Sequence, residues 1–257
     1  MEPRISAPKS PSTADPTRYR CVAPRSFVWD VAGAGVASEI LCGEDFLAVH
    51  SRDGWVIGDC AHDSYAGRVH TSDFSLATSD PTHRVDVRTG LVFAGPSIKS
   101  PLIERLSLGA RLEARATEGD FTQIDGGYIH RRHIALVDTV AGDPVDWATL
   151  LLGTPYLWGG RSSDGLDCSG LVQLSLGMAG IAAPRDSGPQ RDALGTPVTL
   201  DALARGDLIF VPGHVGMMVD AAHLLHANAH WMAVVVEPLA DVLARLAPDT
   251  PVEARRL

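Results

Sequence analysis

The feature that most constrains this chain is the stretch from Gly153 to Gly180, GTPYLWGGRSSDGLDCSGLVQLSLGMAG. Its first half is rich in glycine and aromatics and cannot run as a continuous helix. Its second half carries Leu171, Val172, Leu174, Leu176 and Met178 on a broad helical face, and Gly180 is placed to end that helix. Cys168 falls at the junction, in the first turn, with Asp167 before it as an N-cap residue. Unpaired backbone N–H groups and the positive end of the helix dipole meet the sulfur there and favour the thiolate. A lone cysteine is more often a small buried hydrophobe, so its chemistry has to be argued from what lies downstream.

Composition narrows the field. The chain has 257 residues, enough for two or three domains, with 45% hydrophobic and 21% charged residues, the balance of a globular protein. A formal net charge of −9 argues against nucleic acid or an anionic membrane as partner, because both reward clustered Lys and Arg. No apolar run reaches the roughly 18 residues a transmembrane helix needs. The first twenty residues have no apolar core of a secretory signal, so a cytoplasmic location is expected. Of the four cysteines, Cys21, Cys42 and Cys60 lie early and Cys168 lies alone, with no C-x-x-C pair; this is not a disulfide framework.

Residues 1–20, rich in Pro, Ser and Thr, are expected to form a flexible tail. Short alternating runs follow over 21–76, with Arg52-Asp53-Gly54 as a turn between strands, and a similar pattern recurs over 77–138. Gly43 matches Gly109 and Trp55 matches Phe121 at one offset; Tyr65 matches Tyr128 and His70 matches His133 at an offset three residues shorter. Two copies of a small all-β unit of about 55–60 residues are expected. The Gly-Trp strand ending and the Gly-Tyr hairpin resemble bacterial SH3-like barrels. The histidines of this half, His50, His62, His70, His83, His130 and His133, show no metal-ligand spacing.

From residue 139 to 257 the pattern is α+β. Asp143-Pro144 opens a helix. A short helix is expected near Pro189, then strands Leu208–Val211 and 214–219 joined at Pro212-Gly213, a strand in AVVVEPL and a last helix in DVLARLA. A cysteine nucleophile needs a base, and the base needs a partner that fixes its tautomer. His214 opens a strand after a tight turn, and His226 lies on what reads as the neighbouring strand. The same Cys168, His214 and His226 could instead ligate zinc. His223 and His230 read as surface residues.

Four motifs in order, Gly153–Gly160 (GTPYLWGG), Asp167–Val172 (DCSGLV), Gly206–Phe210 (GDLIF) and His214-Val215-Gly216, resemble those of the NlpC-type cysteine peptidases, bacterial cell-wall enzymes with a papain-like core. The resemblance implies Cys168 as nucleophile, His214 as base and His226 as the polar third member, with Tyr156 near the scissile carbonyl and the Cys168 N–H helping to hold the oxyanion. It implies an α+β fold overall: a papain-like cysteine peptidase core (139–257) preceded by two small all-β SH3-like barrels. The barrel-bearing subgroup cuts the γ-D-glutamyl–diamino acid bond of peptidoglycan-derived L-Ala-γ-D-Glu-diamino acid peptides and requires a free N-terminal L-Ala. Arg185-Asp186-Ser187 matches the segment that binds the amine and the D-Glu, so Asp186 and Ser187 are expected there, with Asp167 and Ser169 completing the pocket and Glu44 and Tyr65 of the first barrel walling the amine end. Neither a cofactor nor a metal is expected, and a role in recycling imported peptides follows from the N-terminus. Cys42, where such barrels carry an aromatic, and Phe121, in place of a Trp, depart from the pattern. The competing readings are a non-catalytic cell-wall peptide binder and a thioester-forming acyltransferase or amidase on the same core.

Overall fold

The computed structural model describes residues 16–139 and 142–257, which fall into two compact units dividing after Thr139. The N-terminal unit is built of short strands. Its first half holds β1 (Thr17–Cys21), β2 (Arg25–Trp29), β3 (Val36–Leu41), β4 (Asp45–Arg52), β5 (Trp55–Cys60), β6 (Ala66–His70) and β7 (Phe74–Leu76) in one sheet of order β3-β2-β6-β5-β4-β1-β7. Residues 17–20, expected in the tail, therefore form strand: β1 pairs with β4 and β7, and Arg20 forks onto Asp45 at 2.8 and 3.0 Å. The rest of the expected tail, residues 1–15, lies outside the described residues.

The second half holds β8 (His83–Val85), β9 (Thr89–Phe93), β10 (Leu102–Ser107), β11 (Arg111–Leu112), β12 (Thr117–Glu118), β13 (Phe121–Ile124), β14 (Gly127–His130) and β15 (Ile134–Leu136). Their order, β10-β9-β14-β13-β12 in one sheet and β11-β8-β15 in another, repeats that of the first half, with β4 replaced by the separate strands β12 and β11. The structure corrects part of the internal alignment. Trp55 opens β5 and Phe121 opens β13, as expected, but Trp55 pairs with His70 and Phe121 pairs with His130. Each aromatic sits edge-on to that histidine, at 5.1 and 5.3 Å. His70 is thus the counterpart of His130, not of His133. The hairpin of the second copy is shorter by six residues (130 − 70 = 60 against 121 − 55 = 66), twice the difference inferred from sequence. Alternation in β5 buries Val56, Gly58 and Cys60 and leaves Trp55, Ile57 and Asp59 part-covered, which gives each half its own small core.

The C-terminal unit begins with α1 (Pro144–Thr149), capped by Asp143, whose side chain accepts the Val145 N–H at 2.8 Å. A two-stranded ribbon, β16 (Arg161–Ser162) and β17 (Gly165–Leu166), leads directly into α2 (Cys168–Met178). Then come α3 (Ser187–Ala193), β18 (Thr196–Val198), β19 (Leu208–Val211), β20 (His214–Met218), β21 (His223–Asn228), β22 (Ala233–Pro238), α4 (Leu239–Ala244) and β23 (Glu253–Arg256). The sheet order is β18-β23-β19-β20-β21-β22. The terminal strand β23, which the sequence pattern did not suggest, inserts between β18 and β19, and Arg256 clamps onto Asp207 at 2.9 and 2.7 Å.

Helix α2 is the centre of this unit. It packs against α1, β20 and β21, and ten of its eleven residues are buried, so it is covered all round rather than presenting a solvent face. On one face of the sheet Val145, Val172, Leu176, Leu208, Phe210, Val215 and Met217 gather around it; on the other, Ile209, Met218 and Leu224 meet Leu239 and Val242 of α4. Gly170 in its first turn has no room for a side chain: a Cβ there would stand 2.3 Å from the Gly160 carbonyl oxygen. That close approach lets the GTPYLWGG loop lie against the helix N-terminus.

Candidate active site

Asp167 anchors the mouth of α2. Its Oδ1 accepts the Gly170 N–H at 2.7 Å, which caps the helix, and its Oδ2 accepts the Gly159 N–H at 2.9 Å, which ties down the preceding loop. Arg185, only 2% exposed, closes a bidentate pair on the same carboxylate at 2.8 and 2.7 Å and also reaches Ser169 Oγ at 3.0 Å. With Ser169 Oγ adding a further contact at 3.3 Å, the protein's own donors fill the Asp167 carboxylate. Asp167 and Ser169 were expected to complete a ligand pocket. In the structure both side chains hydrogen-bond to Arg185 and to each other, which holds the loop and helix in register.

Cys168 follows as the first helical residue and is 7% exposed. The β20–β21 ladder holds only two pairs, Met217–Leu225 and Met218–Leu224. The backbone N–H groups of Val215 and Ser169 face the Cys168 sulfur. Burial, and then the Asp167 charge, push the thiol up to about 11, and these two N–H groups and Arg185 act against that rise without cancelling it. Desolvation of the sulfur thus outweighs the helix-terminus effect that favours the thiolate. Tyr156 is half-buried beside this group. Burial and the neighbouring Cys168 and Asp167 charges raise its phenol to about 12.

The histidines meet. His214 Nε2 lies 2.8 Å from His226 Nδ1, and the rings stand edge to face with centroids 5.0 Å apart. The zinc alternative needs these nitrogens to converge on a shared point; instead they face each other. Burial depresses His214 most, with His226 adding to it, to about 4, and burial also lowers His226. His214 is therefore neutral near pH 7. The chain of contacts continues to three residues that the sequence did not point to. His226 Nε2 lies 2.8 Å from Glu237 Oε1, and Arg245 donates to that oxygen at 2.6 Å. Asn228 places Nδ2 2.6 Å from His226 Nε2 and 3.3 Å from the carboxylate, and its Oδ1 accepts the Trp231 N–H at 2.8 Å. Glu237 could have been suspected: it is the one acid in the apolar strand AVVVEPL, and a buried carboxylate needs partners.

Asp186 sits at the N-cap position of α3 and Ser187 is the first residue of that helix; both are half-buried. A small open cleft is lined by Ser187, Arg191, Phe210, Gly213 and Glu253 among others, and so runs from α3 to the turn that delivers His214. Glu44 and Tyr65 belong to the N-terminal unit. Glu44 is buried in the β3–β4 turn, where Oε2 accepts the Leu41 N–H at 2.8 Å, and Tyr65 packs against the core of the first half.

Comparison with known proteins places this geometry. Residues 153–243 match the NlpC/P60 family. A Bacillus cereus protein named gamma-D-glutamyl-L-lysine dipeptidyl-peptidase is 27% identical over 189 residues, covering 66% of this chain and 56% of that protein. A Bacillus subtilis protein of the same name is 34% identical over 111 residues, covering 40% of this chain and 37% of that protein. The chain thus spans 37% to 56% of the length of these curated relatives. The crystal structure of an NlpC/P60 family protein from Bacillus cereus superposes with a TM-score of 0.78 over 93% of this chain and 99% of that one, at 20% identity, which speaks for the fold. Residues 153–243 thus resemble the NlpC/P60 family, and the fold of the chain is that of a solved NlpC/P60 family protein.

Proposed function

We propose that the chain is a cysteine endopeptidase that hydrolyses the γ-D-glutamyl–diamino acid bond of murein peptides bearing a free N-terminal L-Ala. The observation that carries this reading is the pairing of His214 with His226 at 2.8 Å on the strand whose next residue, Val215, faces the Cys168 sulfur. The names of the Bacillus relatives support the choice of bond.

With His214 Nε2 committed to His226, the base is His214 Nδ1. The free protein rests as thiol and neutral imidazole, so proton transfer accompanies attack: Cys168 Sγ bonds to the γ-carbonyl carbon of D-Glu as its proton passes to His214. The oxyanion forms against the Cys168 N–H at the mouth of α2. His214 then gives the proton to the α-amine of the leaving diamino acid as the C–N bond breaks, leaving a thioester. Water attacks that thioester, His214 takes its proton, and L-Ala-D-Glu departs as the thiol is restored. Asp186 and Ser187 receive the L-Ala ammonium and the D-Glu carboxylate, beside Tyr156 at the reacting carbonyl.

The test is incubation with L-Ala-γ-D-Glu-meso-diaminopimelate and with its N-acetylated form. Release of diaminopimelate from the free-amine peptide only, abolished in Cys168→Ala, is expected. No release by the wild-type protein, or equal release by the variant, rejects the reading.

A further inference from the structure

The cleft between α3 and the β19–β20 turn borders both halves of the candidate site. On one side Gln190 of α3 donates from Nε2 to the Ser169 carbonyl at 3.0 Å, which ties the helix to the residue after Cys168. On the other side Pro212-Gly213 turns the chain between the paired residues Val211 and His214. Ser187, Arg191, Gly213 and Glu253 line the space between, and Phe210, Pro212 and Pro251 give it an apolar wall. Glu253 is brought there by β23, where it pairs with Phe210 of β19.

The charges of this cleft are matched less closely than the other charges of the C-terminal unit. Arg185 meets Asp167, Arg245 meets Glu237 and Arg256 meets Asp207 at 2.7, 2.6 and 2.7 Å. Glu253 Oε1, by contrast, stands 3.8 Å from Arg191 Nη1, and its Oε2 stands 3.8 Å from Arg255 Nη2. Both separations exceed hydrogen-bond reach, so neither contact fills an acceptor position of the carboxylate. Arg191 spends Nε and Nη2 on its exposed neighbour Asp192, each at 2.9 Å, and turns Nη1 toward Glu253. The cleft therefore presents a donor cation and an acceptor anion a few ångströms apart, beside an apolar wall and next to the turn that delivers His214.

We propose that this cleft takes the side chain of the leaving diamino acid and selects one whose far carbon carries both an ammonium and a carboxylate. meso-Diaminopimelate ends that way; lysine ends in an ammonium alone. Glu253 accepts from the ammonium, Arg191 Nη1 donates to the carboxylate, and the methylenes lie on Phe210, Pro212 and Pro251. The inference rests on the reading of the chain as a γ-D-glutamyl–diamino acid endopeptidase. In that reaction the α-amine of the diamino acid receives the His214 proton, so this residue of the substrate lies against the turn that opens β20. Ammonium and carboxylate on one carbon are held a few ångströms apart, as Glu253 and Arg191 are. Selectivity rests on Arg191, because with lysine bound its Nη1 gains no anion. The preference departs from the lysine in the names of the Bacillus relatives.

Affinity tests the cleft separately from the chemistry. Isothermal titration calorimetry of the Cys168→Ala protein gives Kd for L-Ala-γ-D-Glu-meso-diaminopimelate and for L-Ala-γ-D-Glu-L-Lys without turnover. The diaminopimelate peptide is expected to bind about tenfold tighter, the worth of one hydrogen bond to a charged group. Adding Arg191→Gln is expected to bring the two Kd values within about twofold of each other. Adding Glu253→Gln is expected to weaken both about tenfold, since both peptides carry the ammonium. Both side chains reach solvent, and circular dichroism checks that the variants fold. Equal affinities in the Cys168→Ala protein, tighter binding of the lysine peptide, or binding of neither overturns the proposal. So does a preference that survives Arg191→Gln, or a Glu253→Gln protein that binds both peptides as before. Cleavage by the wild-type protein is read alongside. If it cuts neither peptide while the affinity pattern holds, the peptidase reading fails and the cleft's selectivity stands. If it cuts both with equal kcat/KM and the affinity pattern is missing, the selectivity fails and the peptidase reading stands.

Discussion

At the scale of single residues, the site balances two opposed effects on Cys168. The helix terminus and the N–H groups of Ser169 and Val215 favour the thiolate, but burial of the sulfur costs more than they return, and the thiol rises to about 11. His214 moves the other way, to about 4, because burial disfavours its cation. The sign of the consequence is plain: around neutral pH neither group is charged, and thiolate accumulates only as pH climbs toward 11. Iodoacetamide alkylation of Cys168 in the substrate-free protein should therefore keep accelerating, about tenfold per pH unit, from pH 7 through pH 9. A rate that levels off below pH 8, as for a preformed thiolate–imidazolium pair, contradicts the desolvated site described here.

At the scale of elements, α2 is held in place at one end by one ion pair. Arg185 and Asp167 tie together the segment before α3, the cap of α2 and the glycine loop before it. Removing one partner of such a buried pair strands the other charge. Arg185→Met should cost about 3–5 kcal/mol in urea unfolding, and adding Asp167→Asn should recover part of that. A loss below about 1 kcal/mol would mean the pair does not anchor the helix. Sequence alone located α2, its Asp167 cap, β19, β20 and the two histidines, because capping chemistry, period-2 alternation and the Pro212-Gly213 turn are local signals. It did not reveal the partner of Asp167. The arginine that fills it lies eighteen residues on (185 − 167), brought close only by tertiary folding. Glu237, Arg245 and β23 escaped for the same reason: each owes its place to a partner remote in sequence.

At the scale of the whole molecule, the chain joins a β-rich unit with an internal repeat to a mixed α/β unit whose sheet and central helix carry the candidate site. The repeat was legible as recurring glycines and aromatics. Its exact register was not, because hairpin length is set by strand pairing, and Trp55–His70 and Phe121–His130 are pairs that only the folded sheet reveals. The proposed function requires that Cys168 become acylated and that water release the acyl group under the control of the histidines. The most direct measurement is intact-mass spectrometry on protein acid-quenched during turnover of L-Ala-γ-D-Glu-meso-diaminopimelate. An added mass equal to one L-Ala-γ-D-Glu acyl group, mapped to Cys168 and absent from Cys168→Ala, is the predicted result; peptide cleaved at full rate by the Cys168→Ala protein, or an acyl group carried on any other residue, would contradict it.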